Sequence, residues 1–166
     1  MTQQTDPPPL PQRKRPGRLP LYEYGNLSPI IYLTICAKDR KAILAKDDVH
    51  HLLTGVWSDP ENHWSVGRYV ILPDHLHLFC SPKSPQSLGI KEWIKFWKTH
   101  TSNQWPRPDE HPIWQLDGWD TQLRTGDNYD QRWNYVRNNP VRHGLVENAD
   151  DWPYQGEIEP LKWHDK

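Results

Sequence analysis

The chain has 166 residues, with 20 Lys and Arg against 21 Asp and Glu for a formal net charge of −1. That length suits one domain with a buried core and is too short for two, and no apolar run approaches the ~20 residues of a membrane span. Near-neutral charge provides no global basic field, and two cysteines, Cys36 and Cys80, exclude a disulfide scaffold and read as free buried thiols of a soluble, cytoplasmic protein.

Residues 1–20 contain six prolines together with Arg13, Lys14, Arg15 and Arg18. They read as a disordered basic arm preceding a single domain over residues 21–160. Residues 30–36 (I-I-Y-L-T-I-C) are β-branched and apolar, as in a buried central strand. Asp47 is placed to cap a helix in which Val49, Leu52, Leu53, Val56 and Trp57 recur at helical spacing. Residues 64–72 and 75–80 predict two strands around a tight turn at Pro73-Asp74. A second helix is expected over residues 87–103, with Ile90, Trp93, Ile94 and Trp97 as its apolar stripe. A strand over residues 113–123 follows. Then comes a helix capped by Asp127 that ends near Asn139, because Pro140 disfavours helix at the preceding residue.

The order strand, helix, strand, strand, helix, strand, helix predicts an α+β, ferredoxin-like fold. It has a four-stranded antiparallel sheet, two helices on one face and an extra C-terminal helix. Most of the ten tryptophans are expected in its core, with a minority available to stack on unpaired bases.

Two constellations carry chemistry. In His75-Leu76-His77, side chains two apart on a strand share a face, so both imidazoles leave together while Leu76, Leu78 and Cys80 enter the core. Paired neutral imidazoles are good ligands for a divalent cation. The motif alone is unspecific, since nine histidines make some H-x-H about as common as not. His50, His51, His63, His100, His111, His143 and His164 lack such spacing and read as structural or surface residues.

On the last helix, Tyr129, Trp133 and Val136 form the apolar stripe. Tyr135 sits roughly 100–140° away, on the side of Arg132 and Asn139. Asn139, four residues on, points the same way as the phenol. A free phenol is a weak nucleophile at neutral pH, about 0.1% ionised. A metal that draws charge from a phosphodiester makes it competent. Two histidines and one amide oxygen leave metal positions open for the scissile phosphate. The predicted product is a covalent phosphotyrosine with a free 3′-hydroxyl, so the bond is transferred rather than hydrolysed.

At this point the residues resemble a known family. V-I-L-P-D-H-L-H-L-F (residues 70–79) resembles the His–hydrophobic–His strand of the HUH single-strand endonucleases. W-N-Y-V-R-N-N-P-V-R-H-G-L-V (residues 133–146) resembles the tyrosine helix of the REP-associated tyrosine transposases, and A-D-D-W-P-Y (residues 149–154) is similar to that family's tail. The resemblance spans residues 30–154. It implies a ferredoxin-like core, a Mg²⁺- or Mn²⁺-dependent site and substrates containing hairpins of repetitive extragenic palindromes (REP), handled by a bacterial, nucleoid-associated protein as monomer or homodimer. Carried over by motif position, His75 and His77 are metal ligands, Tyr135 is the nucleophile, and Asn139 stands where the family has a polar residue completing the site. One departure is that the stretch matching Trp119-Asp120-Thr121 ends in histidine in many relatives and in threonine here, so it is left out of the metal site.

A single-stranded or hairpin substrate needs phosphate contacts. Candidates are the helical stripe Lys91, Lys95 and Lys98, the arm residues Arg13, Lys14 and Arg15, and Arg132, Arg137 and Arg142 beside the tyrosine. Five acids and no Lys or Arg between residues 147 and 159 suggest an acidic opposite face. Three rival readings use the same fold, one of them a domesticated transposase that keeps DNA binding and has lost mobility. A non-catalytic nucleic-acid-binding module predicts aromatics on an open sheet face in place of paired histidines, and an HUH nuclease of replication or conjugation predicts a larger chain.

Overall fold

The first strand, β1 (Ile31–Ala37), alternates buried and half-buried residues along its length. Its odd positions Ile31, Leu33 and Ile35 enter one core and its even positions Tyr32, Thr34 and Cys36 face the other way. In this computed structural model residues 29–84, 86–123 and 129–162 are described. The proline-rich arm with Arg13, Lys14, Arg15 and Arg18, and the Asp127 cap, lie outside them.

After β1 come α1 (Asp47–Trp57), β2 (Trp64–Ile71), β3 (His75–Pro82), α2 (Ile90–Asn103) and β4 (Trp114–Gln122). Then follow α3 (Tyr129–Arg137), α4 (Asn139–Arg142) and β5 (Gln155–Glu157). The sheet is antiparallel in the order β4-β1-β3-β2-β5. Its first four strands have the expected ferredoxin-like arrangement, and β5 is an addition that pairs Gln155 with Val70 and Glu157 with Arg68.

Helices α1 and α2 bury Val49, Leu53, Trp57, Ile90, Trp93 and Trp97 against one sheet face, with Leu76, Leu78 and Cys80 of β3 beneath. Helix α3 covers the other face, where Tyr129 and Val136 pack on Val70 and Phe79, with Trp133 alongside. Among the described residues six tryptophans are buried, at positions 57, 64, 93, 97, 105 and 114, as expected of the core.

Local endings differ from expectation in three places. Asp47 is the first helical residue of α1 and Lys46 the cap position, without a side-chain cap bond. Asp47 and Asp48 instead place their carboxylates in the first turn, where the helix dipole favours negative charge. Helix α2 starts three residues late, after Gly89. Helix α3 stops at Arg137, and the chain re-enters helix at Asn139 with Pro140 in the first turn, where its missing N–H costs nothing.

Candidate active site

Strand β3 places His75, His77 and Phe79 on the α3 face, with Leu76, Leu78 and Cys80 in the opposite core. The two imidazoles lie 4.9 Å apart between ring centroids, nearly perpendicular, and each is mostly buried, at 7% and 8% exposure.

Each ring is held by its Nδ1. That of His77 lies 2.8 Å from the Tyr32 hydroxyl and 3.0 Å from Thr34 Oγ1. Both partners come from β1, whose register sets Thr34 directly opposite His77. That of His75 lies 2.7 Å from Asp74 Oδ1, and Asp74 Oδ2 accepts from Arg40 Nε at 2.9 Å. The 3.5 Å approach of Arg40 Nη2 to the same ring nitrogen is too long to compete. Burial lowers both imidazole pKa values, that of His77 to about 3, helped by the charges of His75 and Arg142. Neutral rings held at Nδ1 are the form in which histidine ligates a metal through Nε2.

Asp39 and Arg40, just after β1, both have positive φ, 55° and 54°. That left-handed pair turns the Arg40 side chain back onto Asp74. Asp74 itself is half-buried, and its hydrogen bond with His75 and ion pair with Arg40 hold its carboxyl below the usual range against the opposing effect of burial.

Tyr135 is 66% exposed, off the buried stripe of α3, as its position on the helical wheel requires. The guanidinium of Arg142 lies 4.1 Å over its ring. Arg142 also donates to the Tyr135 carbonyl at 2.8 Å and to Asn139 Oδ1 at 2.8 Å, while Asn139 Nδ2 donates to the Val136 carbonyl. Arg132 stands 5.9 Å from the Tyr32 ring. Helix α4 is brought to the histidine pair through His143, whose ring lies 5.9 Å from that of His75. Burial raises the pKa of Tyr32, which is bonded to His77, against the lowering effect of Arg132 and Arg142. The predicted residues His75, His77, Tyr135, Asn139, Arg132 and Arg142 therefore converge on one side of the sheet.

The other candidates are placed elsewhere. Lys91 and Lys95 are exposed on α2 beyond the opposite sheet face. With Lys98 they line a groove of about 660 Å³ between α2 and β4. Lys98 donates to the Gln115 carbonyl at 2.8 Å, and burial lowers its pKa. Arg137 is ion-paired with Asp150.

Sequence reasoning passed over Asp74, Arg40, Tyr32, Thr34 and His143. The alternation of Tyr32, Thr34 and Cys36 with Ile31, Leu33 and Ile35 was a visible signal of a polar-bearing second face, hidden by reading residues 30–36 as one apolar run. Nothing local marked His143.

Among the described residues no group of three or more His, Cys, Asp and Glu is arranged to hold a metal ion. A cation here would rest on two imidazoles and a neutral amide, a set that leaves coordination positions open, unlike a closed structural site. No helix among the described residues is long and apolar enough to cross a membrane.

No protein-family model matches the chain. A Haemophilus influenzae protein named for the REP-associated tyrosine transposases is 27% identical over 154 residues, covering 81% of this chain and 86% of that one. The REP-associated tyrosine transposase of Escherichia coli K12 is 29% identical over 94 residues, 55% of this chain and 53% of its own. Among solved structures, a REP-associated tyrosine transposase bound to a REP hairpin aligns with a TM-score of 0.62 at 21% identity, over 76% of this chain and 75% of that one. A crystal structure from Deinococcus radiodurans R1, also named as a transposase, aligns at 0.50 and 20% identity, over 75% of this chain and 97% of that one. With the paired histidines and the off-stripe tyrosine on one side of this fold, the chain is similar to the REP-associated tyrosine transposases over most of its length.

Proposed function

We propose that the protein cuts and rejoins single-stranded DNA next to hairpins of the REP type, with Tyr135 as nucleophile. The observation that carries this reading is the contact of α4 with the histidine pair through His143 and His75, 5.9 Å apart. It sets Tyr135, Asn139 and Arg142 on the same side as His75 and His77.

Mg²⁺ or Mn²⁺ held by the Nε2 atoms of His75 and His77 and by Asn139 Oδ1 would supply charge neutralisation at the phosphate oxygens. Arg142, which donates to Asn139 Oδ1 and stands over the Tyr135 ring, would pair with the scissile phosphate, a strong guanidinium–phosphate contact. Tyr135 Oη forms its bond to phosphorus as the bond from phosphorus to the 3′-oxygen breaks. The phenolic proton is lost and the leaving 3′-oxygen takes one up, so the exchange is proton-neutral. A 3′-hydroxyl from a second strand reverses the step and joins new ends.

The test is incubation of end-labelled hairpin single strands with the protein, with Mn²⁺ or EDTA, beside Tyr135→Phe. The expected result is a Mn²⁺-dependent cut with label trapped on the wild-type protein and none on the variant. Cleavage that persists in Tyr135→Phe would remove the tyrosine assignment. Binding without any cut or adduct would leave a DNA-binding derivative of the family.

A further inference from the structure

We infer that Trp119 forms a stacking site for one unpaired nucleobase of the strand entering the His75–His77 site; this rests on the strand-transferase reading above. Strand β4 is an edge of the sheet, and its Trp119 pairs directly opposite Thr34. Thr34 Oγ1 in turn reaches His77 Nδ1. His77, Thr34 and Trp119 therefore form a line across three neighbouring strands on one face. At the usual strand spacing the indole stands about 10 Å from the histidine, within reach of a base near a phosphate bound there.

The exposure of Trp119 sets it apart. Among the described residues six tryptophans are buried and Trp133 and Trp152 are half-buried, whereas Trp119 is 60% exposed. It lies on the half of the sheet face not covered by the apolar stripe of α3, which packs on Val70 and Phe79. Thr121, a small residue, lies opposite Tyr32 on the same face. Asp120, between them and opposite Leu33, belongs by alternation to the other face, so its carboxylate does not confront a strand on this one.

The surrounding chemistry selects the occupant. Arg132 over Tyr32 and Arg142 over Tyr135 supply cations interleaved with aromatic rings around the histidines. A polyanion with a flat base on every unit matches that pattern, because backbone phosphates meet the arginines while a base meets the indole. Stacking is tolerant of base identity, so Trp119 sets the position of the strand rather than its sequence.

The test compares hairpin oligonucleotides carrying short single-stranded extensions at either end with the same hairpin blunt, using wild type, Trp119→Ala, Trp119→Phe and, as a fold control, Leu116→Ala. Wild type should bind an extended hairpin more tightly than the blunt one. That preference should fall about 5- to 150-fold in Trp119→Ala, the range of one base–aromatic stack, and persist in Trp119→Phe and Leu116→Ala. A 2-aminopurine scanned along the extension should be quenched at one position by wild type and not by Trp119→Ala. An undiminished preference and quench in Trp119→Ala, with Tyr135-dependent cleavage intact, overturns the stacking site and leaves the enzyme reading standing. A change of molecular mass in solution in Trp119→Ala, with quenching intact, makes the indole a self-association contact and also overturns it. Failure of wild type to bind any of these oligonucleotides overturns both.

Discussion

His75 is aimed by a short chain of charges. Its Nδ1 meets Asp74 at 2.7 Å, and Asp74 is held by Arg40 at 2.9 Å. The left-handed backbone at Asp39 and Arg40 costs roughly 1–2 kcal/mol per residue. It is the turn that brings Arg40 from the end of β1 back over β3. Carboxylates that orient a ligand histidine typically contribute 10–100-fold in metal affinity. Asp74→Ala should therefore weaken Mn²⁺ binding by about that factor in titration calorimetry, with its thermal midpoint close to wild type. Undiminished Mn²⁺ affinity would remove Asp74 from the site.

At the scale of elements, the question is how α3 is kept over the histidines. Its first turn is pinned by Tyr129, which packs on Phe79, lies under Arg68 at 4.7 Å and accepts the Arg68 backbone N–H at 3.1 Å. Arg68 also bonds Asp130 at 2.6 Å. Gly67 is the point of closest approach. A Cβ there would lie 2.7 Å from Tyr129 Oη and 2.7 Å from the Leu161 side chain. Gly67→Ala should cost about 1–3 kcal/mol by overpacking, a fall in thermal midpoint of about 3–10 °C. Because the displaced group is the root of the helix that carries Tyr135, cleavage in a single-turnover assay should fall further than hairpin binding. Equal losses in both would show that the anchor serves stability alone.

Over the whole molecule, burial of two imidazoles couples stability to pH. In the folded protein burial takes His77 to about 3 and lowers His75 as well, whereas both are near 6.5 in the unfolded chain. Between those values the unfolded chain binds more protons, so stability is complete above about pH 6.5 and falls as pH drops toward 3. Urea midpoints of the metal-free protein should decline from pH 7.5 to pH 5, and His77→Gln should flatten that decline. A slope unaltered by the substitution would place the titrating group elsewhere. The charge asymmetry seen in the sequence is also partly cancelled at this scale. Asp150 pairs with Arg137 and Glu157 with Arg68, so the acidic stretch near the C-terminus is partly engaged in holding β5 and α3 to the sheet.

Periodicity alone determined a good deal. A strand's period of two puts His75 and His77 on one face whatever lies above them, and a helix's period of 3.6 takes Tyr135 off the stripe of Tyr129, Trp133 and Val136. The order of the first four strands and two helices follows from the same local patterns. What covers a face is set by pairing between distant segments, on which local pattern is silent. Only the tertiary structure therefore decided that α3 packs opposite α1 and α2, and that Tyr32 and Thr34 stand behind His77. It also decided that Arg142 joins Tyr135 to Asn139, and that Lys98 bonds the edge of β4. Strand β5 was invisible for a related reason. Three residues with a central Gly156 have no strand propensity of their own, and they extend only because β2 offers a free edge for their backbone to pair with.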